Sequence, residues 1–154
     1  MQFSSLFTIY FLLCPFFVVI AQNSPNYTSA ESRLLLNVAT RDKTPKETED
    51  IIQIFVVNQQ GCEGCINEGI KFVKRYLLSN KSDGKTMILL TNILYLKLLK
   101  LRFGDYLKDN RVVIDSKNIL KGTRFESIYP LKIQFRKNKI VEVIPLDTAH
   151  YGQW

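Results

Sequence analysis

Residues 51–57 read Ile-Ile-Gln-Ile-Phe-Val-Val, β-branched and almost continuously apolar, which predicts a central strand buried on both faces. Asn58, Gln59, Gln60 and Gly61 break it. Beyond Cys65 the apolar positions Ile66, Ile70, Val73 and Leu77 recur at four, three and four, with Lys71, Lys74 and Arg75 on the other side, so an amphipathic helix ending near Ser79 follows. Ser82, Asp83 and Gly84 turn the chain into a second short apolar strand at 86–90. Asn92 stands where it can cap a helix over 93–107, a stretch rich in Leu and Lys although the two partly alternate. Residues 111–115 read as a third strand, with a loop or short helical turn from there to Tyr129. Then 131–135 alternate, 136–139 turn and 140–144 alternate again, which is a hairpin. Upstream, 23–50 is polar around one apolar patch at Leu34, Leu35, Leu36 and Val38, which fits an opening strand or a short helix. The order strand, helix, strand, helix, strand, hairpin predicts an α/β sheet with helices on both faces and an antiparallel edge.

The N-terminus carries a different signal. Residues 6–21 are nearly all apolar, and no charged residue precedes Glu31. Sixteen residues are short for a bilayer-spanning helix, which needs about 20. The run ends in Val19, Ile20 and Ala21 and meets Gln22, Asn23, Ser24 and Pro25, so a small residue precedes a polar turn as at a signal-peptidase site. We therefore read 1–21 as a signal peptide, 22–50 as a partly irregular N-terminal segment and 51–154 as the folded domain of an exported protein, periplasmic or secreted. The alternative is an uncleaved N-terminal membrane anchor, since the first residues lack positive charge and Pro15 interrupts the run. Lipidation at Cys14 is rejected, because Phe11, Leu12 and Leu13 offer no small residue before it.

Composition narrows the classes further. At 46% hydrophobic and 23% charged, the 154-residue chain suits one globular domain and disfavours disorder or a polytopic membrane protein. The net charge of +7 is spread from Arg33 to Lys139 without a dense basic run, so no nucleic-acid partner is expected. No phosphate loop, zinc-protease signature or nucleophile elbow is present. His150 is a lone tail residue, and Tyr95, Phe103, Tyr106 and Phe125 are read as packing groups. Asn26-Tyr27-Thr28 and Asn80-Lys81-Ser82 fit the N-glycosylation pattern, which matters only in a eukaryotic secretory pathway.

Cysteine usage then becomes informative. Removing residues 1–21 leaves 133 of 154, and only Cys62 and Cys65 of the three cysteines. Both sit in one Cys-Glu-Gly-Cys tetrapeptide, so they cannot staple a small fold, and a three-residue spacing closes too short a loop to add much chain-entropy stabilisation. At a strand-to-helix junction, unpaired N–H groups and the helix dipole favour a Cys62 thiolate and lower its thiol pKa. Cys65, one turn on, can close on or attack a mixed disulfide at Cys62.

In this context the sequence resembles the thioredoxin superfamily, most closely the thiol-disulfide oxidoreductases of bacterial envelopes. The resemblance spans about residues 51–144 and includes Ile128-Tyr129-Pro130-Leu131 directly before the final hairpin. It implies a thioredoxin-like sheet with a C-terminal β-hairpin, Cys62 and Cys65 as catalytic residues, and Tyr129 and Pro130 as substrate-binding residues. It also implies a cis Tyr129–Pro130 bond beside the cysteines; a trans bond there, or a Pro130 far from Cys62, removes the family reading. A monomer acting on protein thiols or disulfides and supplied by a membrane or envelope electron donor follows, with no cofactor and no metal. The chain departs from thioredoxin in having Gly61 for Trp, Val56 for a buried Asp, and a short, poorly helical tail at 145–154 in place of the terminal helix. Without that acid, and with Glu63 opposing the thiolate, a reductant or exchanger of intermediate potential is expected.

Other chemistries compete for the same residues. An inert local disulfide is one. Zinc wants four ligands where two cysteines and His150 are on offer. Copper(I) accepts two thiolates, and residues 61–65 also look like the loop of small copper-chaperone domains, which however are shorter and usually carry Met where this chain has Gln60. A thioredoxin-fold binding module that has lost turnover is the remaining alternative.

Overall fold

The structure is a computed structural model and describes residues 26–41, 53–79 and 85–146. The expected signal peptide, both candidate junctions at 21–22 and 50–51, the turn at Ser82 to Gly84, the Asn80 sequon and the tail with His150 lie outside these residues.

The first strand, β1, runs Gln53–Asn58 and is apolar on both faces because both faces are covered. Ile54 and Val56 pack into one core layer, and Phe55 and Val57 into another. The same alternation in β2 (Thr86–Thr91) sends Met87 and Leu89 one way and Ile88 and Leu90 the other. Burying each such side chain contributes about 1.5–3 kcal/mol. A short third strand, β3 (Val112–Ile114), pairs parallel with β2, and β2 pairs parallel with β1. On the other side of β1 lies β4 (Leu131–Arg136), antiparallel, and β5 (Lys139–Pro145) closes the edge as its hairpin partner. The five strands thus stand in the order β3-β2-β1-β4-β5, a mixed sheet with the antiparallel edge that the pattern predicts. Lys137 and Asn138 both adopt positive φ at the hairpin tip, as a two-residue turn matched to strand twist requires.

Helices cover both faces. The patch at Leu34 to Val38 is a helix, α1 (Ser29–Ala39), and not an opening strand. It starts with a capping box: Thr28 Oγ1 accepts the Glu31 N–H at 3.1 Å while Glu31 Oε2 accepts the Thr28 N–H at 2.7 Å. Its Leu35, Val38 and Ala39 join Leu120 and Phe125 against the Ile54 face. The opposite face is covered by α2 (Glu63–Ser79), through Ile70, Val73 and Leu77, and by α3 (Leu96–Phe103), through Leu99 and Phe103. Phe55 of β1 meets Phe72 and Tyr76 of α2 edge-on, each at 4.9 Å between ring centres.

The helix expected over 93–107 is shorter, and Asn92 does not cap it. Asn92 is buried at φ 54°, and α3 begins from Tyr95, whose carbonyl accepts the Leu99 N–H at 3.1 Å. Gly104, at φ 56°, ends α3, and one turn of 3-10 helix carries the chain to Lys108. Phe103 and Phe125 are fully buried core residues, whereas Tyr95 is exposed. No described helix is long and apolar enough to cross a membrane.

Candidate functional site

The central strand delivers the cysteine pair to the sheet end. After Asn58 the Gln59 N–H is still held by the Thr91 carbonyl at 3.0 Å, and then Gly61 swings the chain through φ 130°, a conformation open to glycine and strained for a residue with a Cβ. The Cys62 carbonyl accepts the Ile66 N–H at 3.1 Å, so Cys62 is the residue that caps α2. Its Sγ accepts the Cys65 N–H at 3.1 Å, as an N-cap side chain does. The two cysteines are disulfide-bonded across a Cα–Cα distance of 5.4 Å. Cys62 is exposed and Cys65 half-buried. A Cβ added at Gly64 would meet nothing within 4 Å, so the space over the tetrapeptide is open.

Charge around the pair comes from elsewhere in the chain. Arg102 Nη2 of α3 reaches to 3.8 Å from Glu63 Oε1, placing a cation against the carboxylate next to Cys62. The pair is largely exposed on the Glu63 side and is worth little to stability, but it offsets the negative charge at the helix start. Sequence reasoning missed Arg102 because nothing in a Leu- and Lys-rich helix marks one cation as the one that folds back by 39 positions.

Beneath the cysteine loop lies a polar layer, also not predicted. Asn92 Nδ2 donates to Asn58 Oδ1 at 2.7 Å and to Glu126 Oε1 at 3.1 Å, while Asn58 Nδ2 donates to the Ser127 carbonyl. This ties the ends of β1 and β2 to the loop before β4. Left-handed Asn92 is the available signal, because Asn tolerates positive φ and sits where a strand run stops. A small hollow of 260 Å³ opens between this layer and Gly61, with Ile128 on its rim. Farther along the same sheet end, fully buried Asp115 accepts from Thr91 Oγ1 at 2.9 Å and from the Leu120 N–H at 3.1 Å.

Of the expected substrate-binding residues, both lie on the neighbouring loop. A Cβ at Gly61 would sit 3.9 Å from Ile128, so the loop flanks the cysteine turn, but Pro130 itself packs deeper, against Gly69 of α2. The Tyr129–Pro130 bond is trans, a correction to the cis expectation. Trans is the ordinary state of an X–Pro bond, and here the ring is seated against α2 while the Pro130 carbonyl accepts the Leu146 N–H at 2.7 Å. The Tyr129 N–H donates to Ser127 Oγ at 3.2 Å, so it is already engaged within the loop. Among the described residues no three His, Cys, Asp or Glu side chains gather as a metal site.

The chain matches no protein-family model, no curated protein and no solved structure.

Proposed function

We propose that this protein is a thiol-disulfide oxidoreductase that reduces or exchanges disulfides in exported proteins through Cys62 and Cys65. The observation that carries the reading is the exposed Cys62 capping α2 at the end of the central strand, disulfide-bonded to a half-buried Cys65 one turn later. The strand order and directions, with β4 antiparallel beside β1 and Pro130 just before it, support a thioredoxin-like arrangement with β3 added at one edge. The trans Tyr129–Pro130 bond is the outcome set against membership of that family, so the proposal rests on the Cys pair and the strand order and not on the family.

In the reduced protein, a Cys62 thiolate faces the free N–H groups of the α2 start. It attacks one sulfur of a client disulfide, forming a mixed disulfide and expelling the other client sulfur as a thiolate. Cys65, deprotonated by solvent base, attacks Cys62 Sγ, which closes the Cys62–Cys65 bond and releases the second client thiolate. Two electrons pass from protein to client, and a membrane or envelope dithiol donor restores the reduced pair. Val56 carries no carboxylate and packs in the α1-side layer, away from the Phe55 and Val57 face that α2 covers, so the second step relies on hydroxide or buffer and accelerates with pH.

A non-catalytic binding module is the second reading, favoured by the engaged Tyr129 N–H and the trans proline. Redox titration against glutathione of the full chain, read by alkylation and intact mass, separates the two. An oxidoreductase interconverts dithiol and disulfide at an intermediate potential and reduces a model disulfide catalytically. A pair that titrates but turns nothing over supports the module, and a pair that never forms the bond under mild oxidation overturns the redox reading.

A further inference from the structure

We propose that the outer face of α3 is a docking surface for an anionic lipid bilayer. The helix is apolar twice over. Leu99 and Phe103 face the core, while Leu98 and Leu101 on the solvent side remain 40% and 80% exposed, and Leu94 and Tyr95 of the segment leading into the helix are 65% and 70% exposed. Tyr95, Lys97, Leu98 and Leu101 line one shallow open hollow. A monomeric protein rarely exposes so contiguous an apolar strip without a partner for it.

The charges decide which partner. Lys97 and Lys100 are exposed on the same side, no carboxylate of the described residues pairs with either, and no Asp or Glu stands between Lys85 and Asp105. Lysine is depleted at the apolar centre of protein interfaces. At a membrane surface the same arrangement is favourable: leucines enter the acyl boundary, the tyrosine sits at headgroup depth, and the lysine stems lie along the apolar layer while their ammonium groups reach phosphate. Leu98, Tyr95 and Arg102 wall the groove of 420 Å³ that runs to Gly61, so docking brings the bilayer to the mouth of the groove that ends beside the cysteine turn. Lipid docking stands independently of whether that pair turns over.

The test uses the full chain with Tyr95→Trp in a Trp154→Phe background, so that fluorescence reports this face and not the apolar run at 6–21. Vesicles of phosphatidylcholine, with and without phosphatidylglycerol, carry brominated acyl chains as quencher. The expected result is a blue-shifted, quenched Trp in the anionic vesicles. Lys97→Glu with Lys100→Glu should move the quenching midpoint to at least about thirtyfold more lipid, whereas Lys137→Glu with Lys139→Glu, an equal charge change at the hairpin tip, should leave it in place. Circular dichroism with an unchanged thermal midpoint verifies that each variant is folded. An unquenched Trp, equal quenching without phosphatidylglycerol, equal effects of the two reversals, or a lipid-free dimer that buries position 95 would each overturn the proposal.

Discussion

Gly69 and Pro130 meet where α2 crosses the loop before β4: a Cβ on Gly69 would lie 3.2 Å from Pro130 Cγ and 3.1 Å from Val57 Cγ1. The helix that begins at Cys62 can therefore approach β1 and the proline loop closely only because position 69 has no side chain. Gly69→Leu should overpack this contact and cost about 1–3 kcal/mol. Gly69→Ala should stay within about 1 kcal/mol of the parent, because better helix propensity offsets the small shift its methyl demands. Urea denaturation measures both; a fully stable Gly69→Leu would show that the approach is loose.

Cys62→Ser should abolish disulfide exchange, and Cys65→Ser should accumulate mixed disulfides with clients, visible as reductant-sensitive adducts by mass. With no acid at Val56, the reductive rate of the parent should rise between neutral and mildly alkaline pH. A rate that is flat across that range would point to an internal proton acceptor.

Asp115 is fully buried and accepts from Thr91 Oγ1 and the Leu120 N–H. Asp115→Ala orphans both donors and should lower stability by about 3 kcal/mol. Asp115→Asn, which keeps an acceptor oxygen, should lose less. Equal midpoints for the two variants in chemical denaturation would sink this account.

Glu31 has its pKa held below the ordinary 4.5, first by the Thr28 backbone N–H it accepts, then by the Thr28 hydroxyl and Arg124. A carboxyl whose folded pKa is depressed contributes stability that is present above 4.5 and is lost as pH falls through the lowered folded value. The thermal-midpoint gap between parent and Glu31→Gln should therefore be full near neutrality and close in acid. Thr28→Ala should cost about 0.5–2 kcal/mol at neutral pH. A gap that widens on acidification would contradict the sign.

What the chain made legible follows from how each contact is specified. Residues 53–58 were readable as a central strand because burial on two faces forces a continuous apolar run, and the hairpin because one half-covered edge forces alternation. The cysteine site was readable because its two members are three positions apart. Arg102, Glu126 and Asn92 were not, since they reach the site through tertiary folding from separate elements. The helix at Ser29–Ala39 does carry a local signal in the chain, the capping box Thr28-x-x-Glu31, which favours a helix over a strand for the apolar patch that follows. The cap assigned to Asn92 failed because its side chain serves Asn58 and Glu126 instead. Leucines on both sides of α3 blurred its period, as a helix with two apolar faces must.

Because Val56 pairs with Leu131, the strand that completes the second side of β1 is synthesised 75 positions later. At ribosomal rates that is a delay of roughly 4–15 s. Cys62 and Cys65 are both made before it, and their bond spans a separation of only three. The pair can thus be oxidised or reduced before any complete sheet exists, and the folding of α2 then acts on a bond that can already be in place.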